Sequence, residues 1–453
     1  MIAQALPDSA QKNLRLVILA SAGGTLIEWY DLFMALILAN TLSIQLFPPG
    51  DSKFLETVAI IVSSYFIRPI GSLLFGSIGD RVGRKYSFLI TLMLMGGATF
   101  LIGCIPGYKL IGWGAPVLLL IFRLMQGLAI SGEYAGAAIY VAEHAPQNKR
   151  GFYTGFIQAT APLALLFSLG VVYIIRSRMD DQQFNSFGWR IPFLFSIVLF
   201  FFSYLIRIKL SESPLYLELK RKGETSKTPI RECFRSKETL LLMLKAIFGG
   251  NAAQSAAMHT SQFVTLFFLQ RSVRIPDVTA LLILSIGFLF GGFFYQWAGA
   301  LSDRVGRKKV ILTGLVLSLI FIPFSFYWFM ALGNPQRLTE VHAISNEIIF
   351  IFILLQISMM ISTAMLYGPM GAFMLELFPT KIRYTGMGFA HNIGNGVIGG
   401  ATPLVTEWIR SSFVIGIFMA PFAGLIYPLV LIVIGIIVNS LTVPETYERN
   451  LNE

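Results

Sequence analysis

Charge and cysteine are both scarce in this chain. Only 13% of its 453 residues are Asp, Glu, Lys or Arg, and its cysteines number two, Cys104 and Cys233. A water-facing domain normally carries about 25% charged residues, so a soluble globular protein is excluded. The two cysteines fall on opposite sides of the span map below, which excludes a disulfide between them. No cysteine–histidine cluster stands near either one, so no metal or other cofactor is expected. The sequence contains no H-E-x-x-H, no G-x-S-x-G and no Walker loop. Without a catalytic constellation the chain is read as no enzyme. A single G-x-G-x-x-G, at Gly394, Gly396 and Gly399, lies inside an apolar stretch with no preceding strand. Close helix packing explains it better than a nucleotide does. The first twelve residues are short and polar and run straight into a long apolar stretch, so no cleavable signal is read.

What the chain has is apolar length. Hydrophobic residues make up 55% of it, and the mean hydropathy is +0.69. A membrane-crossing helix needs ~20 mostly apolar residues. Stretches of that kind cover 15–44, 56–79, 86–106, 116–142, 152–175, 189–209, 241–270, 278–301, 308–332, 346–375, 383–410 and 413–441. The expected fold is therefore all-α and integral to a membrane, with twelve transmembrane helices. Residues 1–209 form an N-terminal half, 210–240 a polar linker with a short surface helix, and 241–453 a C-terminal half. The net charge of +11 sits between spans. It reads as topology and contact with anionic lipid, not as a nucleic-acid surface. With both termini inside, the cytoplasmic loops hold more than twice the Lys and Arg of the outer loops, which sets that orientation.

Two loops repeat. Gly76-Ser-Ile-Gly-Asp80-Arg81-Val-Gly83-Arg84-Lys85 is matched by Gly299-Ala-Leu-Ser-Asp303-Arg304-Val-Gly306-Arg307-Lys308, 223 residues later. Each joins two spans, so the chain is two copies of one membrane unit. Gly83 and Gly306 permit a tight reversal. The cations hold the loop at the cytoplasmic face, and Asp80 and Asp303 can meet them or a helix N-terminus. A second repeat, at an offset of 233, aligns Glu143, Pro146 and Arg150 with Glu376, Pro379 and Arg383. A Glu at a helix C-terminus opposes the dipole and needs a cation, which Arg150, Arg383 or the loop arginines supply. These groups are read as inner-gate ion pairs. A plain interfacial salt bridge is the alternative.

Charges inside spans are the other signal, because each costs about 2.5–3.5 kcal/mol at a helix centre. The first half carries Glu28, Asp31, Arg68, Arg123 and Glu133; the second offers His259 and His391. Glu28 and Asp31 share a helix face. Two close carboxyls do not both ionise easily, so one can carry a proton. Arg68 is placed level with Glu28. A static ion pair of Arg68 with Glu28 or Asp31 is the alternative to a titrating group.

The run DRVGRK resembles the signature loop of the major facilitator superfamily. That resemblance implies two pseudo-symmetric six-helix bundles and alternating access. Further runs narrow it: Glu28-Trp29-Tyr30-Asp31, Arg68-Pro69-Ile-Gly71, Arg123-Leu-Met-Gln126-Gly127, Gly132-Glu133-Tyr134, Trp189-Arg190-Ile-Pro192, Glu212-Ser-Pro214 and Glu376-Leu-Phe-Pro379. These are similar to the metabolite–proton symporter family along nearly the whole chain. The resemblance implies uptake of a small polar metabolite with protons across the inner membrane, most simply an organic acid. Glu28, Asp31 and Glu133 are the candidates for proton coupling. Arg68, Arg123, Gln126, Tyr134, His259 and Gln262 are the candidates for substrate or counter-charge. A proline or betaine carrier is the rival within transporters, with Trp29, Tyr30 and Tyr134 as ammonium faces. A transporter-like sensor is the rival outside them. The expected partners are the substrate, protons and the bilayer, and the expected state is a monomer.

Overall fold

Backbone N–H and C=O groups cannot stay unpaired in hydrocarbon, so apolar runs of this length fold as helices. The structure, a computed structural model, describes residues 8–50, 53–208, 212, 214–223, 226, 228–412 and 420–449. Within these, the side chains of 8–17, 19, 20, 84, 88, 133–135, 143, 144, 206, 207, 214, 215, 219, 411 and 420 lie outside the described set. The described residues are helical nearly throughout and include no strand.

The helices group into twelve spans. Span 1 is Asp8–Ile37 continued, through a bend of 61°, by Ala39–Leu46. Span 2 is Lys53–Arg81, span 3 Arg84–Cys104, span 4 Gly114–His144, span 5 Arg150–Arg176 and span 6 Arg190–Arg207. Span 7 covers 237–273. Spans 8, 9 and 10 are Asp277–Val305, Arg307–Gly333 and Asn346–Leu377. Span 11 covers 383–412 and span 12 is Pro421–Thr442. Span 7 begins four residues earlier than the apolar run at 241, because Ser236 caps it by accepting from Thr239 N–H at 3.3 Å. A cap works in water, so it extends a helix beyond its apolar length.

The polar connection holds two short helices, Pro214–Lys222 and Pro229–Arg235, where the composition suggests one. Pro229 opens the second, a position where a missing N–H is harmless. Spans 7 and 11 are not regular. Span 7 carries wide π-turns at Ile247–Asn251, Thr260–Val264 and Leu269–Val273, and span 11 one at Asn392–Gly399. Such turns concentrate at functional sites.

Span 5 lies against span 8, and span 2 against span 11, so each bundle is gripped by the other along two seams. At the first seam Gly151 and Gly299 touch backbone to backbone, and a Cβ on either would run into the other's carbonyl. At the turns, Gly83 has φ 137° and Gly306 has φ 105°, a region that penalises any side chain. Most of the buried apolar residues of both bundles form one continuous cluster, with two small clusters beside it.

Candidate functional site

Two polar regions stand out in this apolar body. One lies at mid-depth and the other at the face that bears the DRVGRK loops.

At mid-depth, span 1 buries Glu28 and Asp31 to 2% and 1% exposure. Asp31 stands beside Thr99 of span 3 and in the field of Arg123 of span 4. Arg123 is consumed inside its own bundle. Its Nη1 donates to Gln126 Oε1 at 2.7 Å, and its Nε and Nη2 donate to the Ile61 carbonyl at 3.2 and 3.0 Å. Gln126 Nε2 donates in turn to Thr99 Oγ1 at 2.7 Å. A polar thread from Arg123 through Gln126 and Thr99 therefore reaches Asp31.

Arg68 has a different environment. Span 2 breaks at Ile67, and the second part of the helix starts at Arg68 with Pro69 in its first turn, which puts Arg68 at the break. Its guanidinium lies 4.0 Å over the Tyr65 ring. Its Nε and Nη2 have no hydrogen-bond partner, although the residue is only 3% exposed. Its stem packs on span 11, where a Cβ on Gly396 would approach Arg68 Cδ to 3.3 Å. Among the described residues Arg68 makes no ion pair with Glu28 or Asp31: it turns to the bundle seam and to Tyr65, three residues before it on the same helical face.

Tyr65 also bridges the bundles. Its hydroxyl lies 3.2 Å from His259 Nε2 on span 7. His259 Nδ1 lies 2.8 Å from the Ser255 carbonyl. The geometry fits a proton on Nδ1 donated to Ser255, with Nε2 accepting from Tyr65. Rings then follow one another across the seam: Tyr65 to His259 at 5.5 Å, His259 to Phe263 at 6.1 Å, Phe263 to Phe33 at 5.6 Å and Phe33 to Trp29 at 5.2 Å. Gln262, one turn beyond His259, is fully buried with neither amide atom partnered. His391 faces Asn251 Oδ1 at 2.9 Å. The side chains of Glu133, Tyr134, Glu143 and Arg84 lie outside the described residues.

At the DRVGRK face the two repeats cross over. Asp80, from the first half, accepts from the N–H and Oγ1 of Thr385 in span 11, at 3.0 and 2.7 Å. Asp303, from the second half, accepts from the N–H groups of Gly151 and Phe152 in span 5, at 2.8 and 2.7 Å. Phe152 and Thr385 are 233 residues apart, the offset of the second sequence repeat. Each aspartate thus caps a helix N-terminus of the opposite bundle, where unpaired N–H groups and the helix dipole favour a carboxylate. Glu376 is held by Arg307, at 3.2 and 3.1 Å, and lies 3.9 Å from Arg150 across the seam. Arg307 also meets Asp303 at 2.6 Å. Arg383 Nε donates to the Phe378 carbonyl. The glutamate therefore takes its cations from a loop arginine and from the other bundle.

Two residues escaped the sequence reading. Tyr65 could have been noticed as the aromatic one turn before a buried arginine. Glu445 accepts from the N–H groups of Arg307 and Lys308, at 2.7 and 3.2 Å, while Glu212 accepts from Lys85 N–H at 3.3 Å. These glutamates are again 233 apart, so the repeat itself marked them. At the opposite face, Arg271 of span 7 lies 3.7 Å over the Phe54 ring of span 2 and pairs with Glu407 at 2.8 Å.

A two-bundle helical body with ionisable groups at mid-depth and mirrored caps at one face defines a membrane transporter. The chain belongs to the sugar (and other) transporter family, whose model matches residues 16–296 and 283–453. It is 33% identical over 422 residues to the inner membrane metabolite transport protein YhjE of Escherichia coli, covering 90% of this chain and 91% of that one. It is 33% identical over 419 residues to the shikimate transporter of the same organism, covering 90% and 91%. The citrate-proton symporter of Salmonella typhi is 28% identical, covering 89% of each. In fold it is similar to the major facilitator superfamily proton:xylose symporter XylE, with a TM-score of 0.75, 19% identity and 98% of each chain covered.

Proposed function

We propose that this transporter is a proton-coupled symporter that carries a small organic acid inward across the inner membrane. The observation that carries the reading is Arg68, a buried guanidinium at the bundle seam with two unpartnered N–H donors. A buried cation without a counter-charge is costly unless a ligand supplies one, and an organic carboxylate is the ligand that matches a guanidinium edge. Glu28 and Asp31 stand where a proton is needed, and one of them, with Glu133, carries it. Arg123 and Gln126 hold Asp31 in place. Tyr134, His259 and Gln262 complete the substrate contacts. Relatives that are named for shikimate, for citrate with a proton and for alpha-ketoglutarate favour the same reading.

The DRVGRK face is cytoplasmic in this scheme, with both termini, and residues 1–209 and 241–453 rock as units joined by 210–240. Asp80, Arg81, Gly83, Arg84, Lys85, Glu143 and Arg150, with Asp303, Arg304, Gly306, Arg307, Lys308, Glu376 and Arg383, form the inner gate. The protein acts as a monomer. A second reading, a proline or betaine symporter, is favoured by the ring series from Tyr65 to Trp29, which could hold an ammonium. A relative from Dickeya dadantii, 30% identical, is named for such solutes.

The test is proton uptake by lightly buffered proteoliposomes given organic acids, proline or betaine. Substrate-triggered alkalinisation outside, lost in Glu28→Gln or Asp31→Asn, is the expected result. Ligand binding with no proton movement and no accumulation under an imposed gradient would refute symport and favour a sensor.

A further inference from the structure

We infer that the substrate carries one carboxylate and an otherwise neutral polar body, so that monocarboxylates are accepted and di- and tricarboxylates are refused. The inference deepens the organic-acid reading and rests on it.

Among the described residues, the buried charges at mid-depth are Glu28, Asp31, Arg68 and Arg123. Two are cations, and they differ in what they have left to offer. Arg123 donates through Nε, Nη1 and Nη2 to the Ile61 carbonyl, Ser64 Oγ and Gln126. It is a strut between spans 2 and 4, and a substrate could claim it only by breaking those bonds. Arg68 offers Nε and Nη2. These two nitrogens form one edge of the planar guanidinium, the edge that receives both oxygens of a single carboxylate in a bidentate pair. Tyr65 covers the face of the same guanidinium and Gly396 walls its stem, so the group is fixed in the orientation it needs.

A second carboxylate would find no such partner. The histidines are already engaged: His259 with Ser255 and Tyr65, and His391 with Asn251. The Glu28 and Asp31 carboxyls are no counter-ion for a carboxylate, and, away from the DRVGRK face, other unpartnered buried polar atoms of the spans are neutral. They include both amide atoms of Gln262 and the hydroxyl of Tyr295, whose ring meets that of Tyr367 at 6.0 Å. Amide and hydroxyl groups satisfy hydroxyls, carbonyls or ring nitrogens, and leave a carboxylate charge buried without a counter-ion.

The experiment is ligand-dependent thermal stabilisation of the purified full chain, followed by competition for uptake in proteoliposomes. The probes are shikimate, quinate and lactate as monocarboxylates, proline as a zwitterion, succinate and alpha-ketoglutarate as dicarboxylates, and citrate as a tricarboxylate. The expected result is that stabilisation and competition are confined to shikimate, quinate and lactate, with affinity falling at least tenfold in Arg68→Gln and partly restored in Arg68→Lys; equal binding of proline would overturn the neutral body. Dicarboxylate or citrate binding of equal affinity, lost in Arg68→Gln, would overturn this inference while leaving the organic-acid reading intact. Acid binding that is unchanged in Arg68→Gln would overturn this inference, whereas no binding of any acid in the panel would overturn the organic-acid reading itself. The wild-type panel decides between one carboxylate and several even if the variants fail to fold.

Discussion

At the DRVGRK face the bundles are joined by carboxylates on backbone N–H groups and by a buried Arg307–Glu376–Arg150 cluster. At the opposite face they are joined by the Phe54 ring beneath the Arg271 guanidinium and at 6.0 Å from Phe267. The first closure is directional: each bond requires one helix end to face one side chain, and a small rotation breaks several together. The second is mostly non-directional, and a ring can slide under a cation at little cost. A structure shut on both faces by such unequal means should open first at the weaker one.

Arg307→Ala should have the largest effect on this balance. Removing one partner of a buried pair costs about 3–5 kcal/mol, and here Glu376 and Asp303 both lose their close cation, with only Arg150 at 3.9 Å remaining beside Glu376 among the described residues. The DRVGRK face should then open in a large fraction of molecules. Cys233 can report it. The thiol is buried on the linker helix Pro229–Arg235 beside Ile382 and Gly386 of span 11, and burial pushes its pKa up to about 12. In the closed protein it is both shielded and protonated at pH 8, so a maleimide should leave it untouched on a Cys104→Ser background. In Arg307→Ala its labelling should appear and rise with pH through the ordinary thiol range. Cys233 unreactive in the variant as in the parent would count against the cluster as the stronger closure.

Next come the mirrored caps. Asp80→Asn and Asp303→Asn each remove the charge from a helix N-terminus of the opposite bundle, at about 1–2 kcal/mol. Because the two caps are related by the repeat, the two variants should shift Cys233 labelling by similar amounts. A large effect from one and none from the other would show that the pseudo-symmetry does not extend to energetics.

Phe54→Ala should have the smallest effect, about 1 kcal/mol from the lost cation–π contact. It should act in the opposite sense, raising accessibility of the face opposite the DRVGRK loops while Cys233 stays protected. A cysteine placed at Thr406, which is buried beside Glu407, would measure it. An increase in Cys233 labelling instead would mean that the two faces do not compete.

Much of this was readable before any coordinate. The spans follow from apolar length, and only their ends moved, as at Ser236, where a cap added a turn that hydropathy cannot see. The DRVGRK repeat located both aspartates, and the offset of 233 located Glu376 and Arg150. Which cation each acid meets was not readable, since Arg150, Arg307 and Arg383 all lie within reach of a glutamate in that loop cluster.

Span number and the two-fold repeat were thus settled by the sequence itself, because each depends on local hydrophobicity or on identity between two stretches of one chain. Partner choice was decided by the tertiary structure. Arg123 and Arg68 are both buried arginines within spans of the first half, yet one is spent on the Ile61 carbonyl and the other keeps a donor edge at the seam. Helix rotation and crossing decide that difference, and both are set by how twelve surfaces pack together rather than by any one of them.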